Sequence, residues 1–88
     1  DPNAALQVEL AYWDAIKDSD NAADYQAYLG QYPKGRFASL AQTRVQTLSD
    51  RREKANRQAQ EADARRRAEA ERLAADRERL AAEHAKLA

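Results

Sequence analysis

Neither glycine nor proline occurs after Gly35, so nothing from Arg36 to Ala88 interrupts a helix. A continuous helix over about 52 residues at 1.5 Å each would reach roughly 80 Å. The whole chain of 88 residues has only two Gly and two Pro, and all four lie before Arg36. That leaves too little turn chemistry for an all-β or doubly wound α/β fold, and the expected class is all-α. Charged residues make up 34% of the chain and its mean hydropathy is -0.97. No apolar run of about 18 residues is present, so no membrane span is expected, and the amino end shows no charged, apolar and small leader. A soluble chain is the expectation. Without Cys there are no disulfides, thiolate zinc sites or thiol nucleophiles, and the redox compartment stays unassigned.

Fifteen acidic and fifteen basic residues balance overall but conceal two unlike halves. Residues 1–48 hold every aromatic side chain together with six acids and four bases, and are read as a three-helix head. Residues 49–88 contain twelve Ala, eleven Lys plus Arg and nine Asp plus Glu. Leu73, Leu80 and Leu87 are the only large apolar side chains there, too few for a core of their own, so this half is read as a charged Ala/Arg/Glu-rich helical extension.

Within the head, Asp1-Pro2 signals the start of a first helix running to about Asp18, with Asp1 as cap. Leu6, Leu10 and Trp13 follow three-and-four spacing, continued by Ile16 or Lys17 and widened by Val8 and Tyr12. Ser19-Asp20-Asn21 marks a tight reversal and offers a cap for the second helix, whose Tyr25, Tyr28, Leu29 and Tyr32 fall on one face. Pro33 stops that helix. After a turn at Pro33-Lys34-Gly35, Phe37, Leu40, Ala41, Arg44, Val45 and Leu48 carry the spacing into a third helix that continues through Ser49-Asp50 without a hinge.

The stretches Tyr12-Trp13-Asp14-Ala15-Ile16-Lys17-Asp18-Ser19, Asp24-Tyr25-Gln26-Ala27-Tyr28-Leu29 and Tyr32-Pro33-Lys34-Gly35-Arg36-Phe37-Ala38-Ser39-Leu40-Ala41 resemble a helical module of bacterial caspase-like proteins. That module lies outside the protease domain, is often followed by Ala/Arg/Glu-rich helix, and is related to tetratricopeptide repeats. The resemblance covers about residues 5–48. The Tyr32-Pro33 helix end and the small residues Ala38 and Ala41 are similar to a boundary between such repeats. No second copy follows at a 34-residue period, so the head corresponds to a single unit completed by the third helix. The resemblance implies a scaffold or recognition role beside another domain in a bacterial protein, in cytoplasm or periplasm, and it carries no catalytic residue.

Several motifs reduce to plainer readings. Gly30-Gln31-Tyr32-Pro33-Lys34-Gly35 has phosphate-loop glycine spacing, but Arg36-Phe37 follows where Lys and Ser or Thr are needed, so it reads as a helix terminator. His84 beside Glu83 lacks convergent ligands; no metal or cofactor is expected, and His84 is solvated or in a seam. Arg65-Arg66-Arg67, with Arg51, Arg52 and Arg57 nearby, suggests an arginine-rich nucleic-acid adaptor. Four acid-first pairs, Glu61 to Arg65, Asp63 to Arg67, Glu53 to Arg57 and Asp50 to Lys54, neutralise that patch, and with a pI of about 6.8 nucleic acid ranks low. Leu73, Leu80 and Leu87 recur every seven residues, with Ala70, Arg77 and His84 at the matching a positions of a weak coiled coil. A homodimer through these leucines and a lone charge-laced helix are both open readings of the tail.

Leu6, Leu10, Trp13, Leu29, Phe37 and Leu40 are the expected core. Tyr25, Tyr28 and Tyr32, beside Lys34 and Arg36, are the interaction candidates, with Tyr25 and Tyr32 divided between core and a wet partner surface. No catalytic residues are expected, since nucleophile, base and oxyanion donors have nowhere to converge. The function these features imply is a non-catalytic interaction and spacer module docking an effector domain, either on a protein partner or on adjoining domains of its own polypeptide. An oligomerisation stalk is the alternative.

Overall fold

The computed structural model describes residues 1–87 and has three helices, α1 (Pro2–Ile16), α2 (Ala22–Gln31) and α3 (Ala38–Leu87), with no strand among the described residues. The fold is all-α, with a long last helix. Two compact units divide the chain, Asp1–Glu53 and the segment from Lys54 onward. The boundary lies a few residues beyond the change of composition after Leu48.

Local chemistry sets the helix ends. The Asp1 carboxylate accepts from the Asn3 N–H at 3.0 Å, and Pro2 occupies the first helical position. α1 stops at Ile16, two residues short of the expected end, because the Ser19 N–H turns back to the Ile16 carbonyl at 2.9 Å. Asn21 caps α2 by accepting from the Ala23 N–H at 3.0 Å. Ser19 fixes the reversal: its hydroxyl donates to the Asp24 carboxylate at 2.6 Å and accepts from the Asn21 N–H at 3.0 Å.

α1 and α2 run antiparallel, since Tyr25 reaches Lys17 and Ser19 whereas Tyr28 reaches Glu9. Between these helices and the start of α3 lies an aromatic core in which Tyr25 and Tyr28 are 0% exposed and Trp13 is 7%. Trp13 stacks on Phe37 with centroids 4.9 Å apart and planes 4° from parallel, and meets Tyr28 at 5.3 Å edge-on. Each such pair contributes about 0.5–1.5 kcal/mol beyond area burial. Ala38 and Ala41 are buried, and their small side chains allow α3 this close.

Three of the expected core leucines stand outside this cluster. Leu10 and Leu40 are 36% and 43% exposed, and Leu6 is half-buried. The cause is rotation. The inward face of α1 is Glu9, Tyr12, Trp13 and Ile16, and that of α3 is Phe37, Ala38, Ala41, Val45 and Leu48. At 100° per residue Leu10 and Leu40 each point roughly 110° from the centre of their faces. Leu29 and Phe37 are half-buried against the core, as expected of core residues.

Candidate interaction surface

Of the three tyrosines expected as interaction candidates, Tyr25 and Tyr28 lie in the core, which is one of the two readings open for Tyr25. Tyr25 and Tyr28 are fully buried because both face α1, and each hydroxyl repairs a helix end. The single phenolic proton of Tyr25 lies between the Lys17 carbonyl at 3.0 Å and the Ser19 carbonyl at 2.7 Å, covering acceptors that the end of α1 leaves open. Tyr28 donates to Glu9 Oε2 at 2.7 Å and accepts from the Phe37 N–H at 3.0 Å. Glu9 Oε2 also accepts from the Arg36 N–H at 2.9 Å. Residues of α1 and α2 thus bind the N–H groups of Arg36 and Phe37 in the turn just before α3, while the first N–H of α3, at Ala38, donates to the Gly35 carbonyl at 3.2 Å. Among the described residues no buried side-chain polar atom lacks a partner.

This network sets the electrostatics at the turn. Burial, and secondarily donation to the Glu9 carboxylate, holds the Tyr28 phenol above its ordinary range; the Phe37 N–H on its oxygen pulls the other way. Gly35 lies tight against the same atoms, since a Cβ there would come within 2.5 Å of both Glu9 Oε2 and the Tyr28 hydroxyl. On the opposite side of the head, Asp14 at 2.9 Å, joined by Asp18, raises the Lys17 ammonium.

What the turn presents outward is Tyr32, Lys34 and Arg36. Tyr32 is half-buried, its ring edge-on to Tyr12 at 5.9 Å and tilted on Tyr28 at 5.2 Å, so part of it stays open. Lys34 and Arg36 are exposed and make no ion pair among the described residues. A backbone bond from the Gly35 N–H to the Tyr32 carbonyl at 3.0 Å holds the turn.

Two hollows lie elsewhere on the Asp1–Glu53 unit and share Asp20 and Leu48. One, of about 350 Å³, is lined by Asp18, Leu40, Arg44, Thr47 and Arg51 among others. The other, of about 610 Å³, includes Asn21, Gln26, Ser49 and Arg52. Arg44, Leu48 and Arg51, which line these hollows, share the three-and-four spacing of a buried stripe, so spacing alone does not mark them as surface.

In the segment from Lys54 onward the acid-first pairing holds in part. Asp63 meets Arg67 at 3.0 Å, but also Arg66 at 3.1 Å, and Glu69–Arg72 and Asp76–Arg79 pair at i,i+3. The expected Glu61–Arg65, Glu53–Arg57 and Asp50–Lys54 bridges are not among those formed; Asp50 accepts from Gln46 instead, at 2.8 Å. Leu73, Leu80 and Leu87 are exposed, and Leu73 ends a shallow groove that begins at Ala62. No group of three His, Cys, Asp or Glu side chains converges among the described residues, and no described helix is long and apolar enough to cross a membrane. Comparison with protein-family models, curated proteins and solved structures gives no match to this chain.

Proposed function

We propose that the chain is a non-catalytic interaction and spacer module of a larger bacterial protein, docking or positioning an effector domain of the caspase-like kind. The observation supporting this most is the unequal distribution of buried bulk. Every aromatic residue lies in the Asp1–Glu53 unit, where the rings hold three helix segments in fixed register. Beyond Lys54 every large apolar side chain among the described residues is exposed, and Asp63, Glu69 and Asp76 pair with arginines of their own helix. A unit of the first kind holds a surface in shape. A segment of the second kind provides length.

Recognition is assigned to Tyr32, Lys34 and Arg36 at the turn, a half-open ring beside two unpaired cations, which suits an acidic or aromatic protein surface. Asp63, Glu69 and Asp76 hold Arg66, Arg67, Arg72 and Arg79, and with a pI of about 6.8 this weighs against counterion-driven nucleic-acid binding.

Photoreactive side chains placed singly at Lys34, Arg36, Glu71 and Glu78 of the parent polypeptide test the division of labour. Adducts to another domain or protein are expected from Lys34 and Arg36. Adducts arising only from Glu71 and Glu78 would reverse the assignment.

A further inference from the structure

Leu73, Leu80 and Leu87 are 46%, 57% and 87% exposed, a row of apolar side chains with nothing covering it. Taking them as d positions puts Ala70, Arg77 and His84 at a, Glu69, Asp76 and Glu83 at g, and Ala74 and Ala81 at e. One flank of the row is therefore acidic, and the other carries the two bases between alanines. Arg77, Glu83 and His84 make no ion pair within their own helix among the described residues. Among the described residues Asp76 is paired with Arg79 alone, at 3.4 Å through Oδ1.

The asymmetry of the flanks selects both an occupant and an orientation. In an antiparallel helix pair the g flanks face each other, which would line Glu69, Asp76 and Glu83 of one chain along the same acids of the other. In a parallel pair each g flank meets the a and e flank of its partner. Asp76 then faces the second copy's Arg77, and Glu83 faces its His84, each contact occurring twice by symmetry. In the parallel pair the a positions also face each other, which sets Arg77 against the second copy's Arg77, but two Asp76–Arg77 contacts flank that one like-charge contact, whereas the antiparallel pair lines acids along acids with no opposite charge between them.

We propose that this face docks a second copy of the chain as a parallel, in-register helix pair over residues 70–87. The seam ends upstream where Asp63 and Arg66 take the a and d positions, and these two already pair with each other at 3.1 Å. Paired helix of about 18 residues is roughly 27 Å long. That is small beside the roughly 1,600 Å² of a standard stable interface, so the dissociation constant should be on the order of 100 µM. A spacer acts as a single helix, so pairing goes beyond the spacer reading, and its failure would leave that reading untouched.

The test is sedimentation equilibrium of the full chain up to about 1 mM, alongside Arg77→Glu and Asp76→Lys, with helix content followed by circular dichroism. Each variant alone should weaken the dimer about tenfold, the first by placing acids against acids and the second bases against bases. An equimolar mixture should restore a heterodimer at least as tight as the parent, to within about threefold, because the reversed charges again face their opposites and the Arg77–Arg77 contact is relieved. As the chain has no Cys, Ala70→Cys gives a second readout: on oxidation it should link to itself, and mixed with Leu87→Cys it should form few heterodisulfides. A parent chain monomeric at about 1 mM, a mixture no tighter than its components, or preferential linkage of position 70 to position 87 would overturn the proposal.

Discussion

The two glycines should respond to the same substitution with opposite signs. Neither has a positive φ, so replacement by Ala tests space rather than backbone strain. At Gly30 a Cβ would meet nothing within 4 Å, and the residue lies inside α2, so Gly30→Ala should stabilise the head by about 0.5–1 kcal/mol through helix propensity. At Gly35 the added carbon would lie 2.5 Å from Glu9 Oε2, 2.5 Å from the Tyr28 hydroxyl and 2.8 Å from Tyr32 Cβ. Tyr28 is wholly buried and cannot yield, so either the turn shifts or the Glu9 carboxylate swings out. The Arg36 N–H and the Tyr28 hydroxyl then lose their shared acceptor. Overpacking costs about 1–3 kcal/mol and a hydrogen bond to a charged group about 1.5–3, partly recovered from water at the half-buried Glu9. Reduced freedom of the unfolded chain offsets about 0.4–1 kcal/mol, leaving Gly35→Ala roughly 1.5–3 kcal/mol less stable. Urea unfolding followed by Trp13 fluorescence reads both variants, and a Gly35→Ala midpoint at or above the parent's would refute the account of the turn.

Trp13→Ala should cost about 3 kcal/mol or more and unfold most of the head, seen as loss of near-ultraviolet dichroism; retention of that signal would place Trp13 outside the core. Tyr28→Phe removes one bond to the Glu9 carboxylate and leaves the Phe37 N–H without its acceptor, so about 1–3 kcal/mol should be lost in chemical denaturation. The phenol of Tyr28 is raised above 10.0 in the folded head, so the folded state holds that proton more tightly than the unfolded chain does. Its contribution is complete below pH 10 and is lost as pH rises through the raised value. The parent should therefore lose stability above about pH 10 faster than Tyr28→Phe, and parallel curves would contradict this.

The parts of the fold readable from sequence were those set locally. Asp1, Asn21 and Pro33 act on residues one to three positions away, and the absence of Gly or Pro beyond Gly35 leaves α3 uninterrupted through Ser49-Asp50. The choice of core leucines depended on which way each helix is turned, and spacing alone does not decide that. Both Leu10 and Leu40 keep the right period but sit on the flank of their faces. The tyrosines illustrate a different limit. A phenol at helical spacing is compatible with a partner surface or with burial, and only the carbonyls of Lys17 and Ser19 and the carboxylate of Glu9, brought there by the antiparallel hairpin, make burial the favourable choice. Glu9 itself carried no signal, because the N–H groups it serves are those of Arg36 and, through Tyr28, Phe37, far along the chain.

The spacer assignment depends on the charged segment holding its length in solution without a core. Nitroxide labels at Lys54→Cys and Lys86→Cys, diluted with unlabelled chain and measured by pulsed dipolar spectroscopy, test this directly. A helix between the two backbone sites predicts a separation of about 48 Å, at 1.5 Å per residue. A broad distribution centred near 30 Å, the span of a flexible coil of that length at about 5–6 Å times the square root of the residue number, would show that the segment is no spacer.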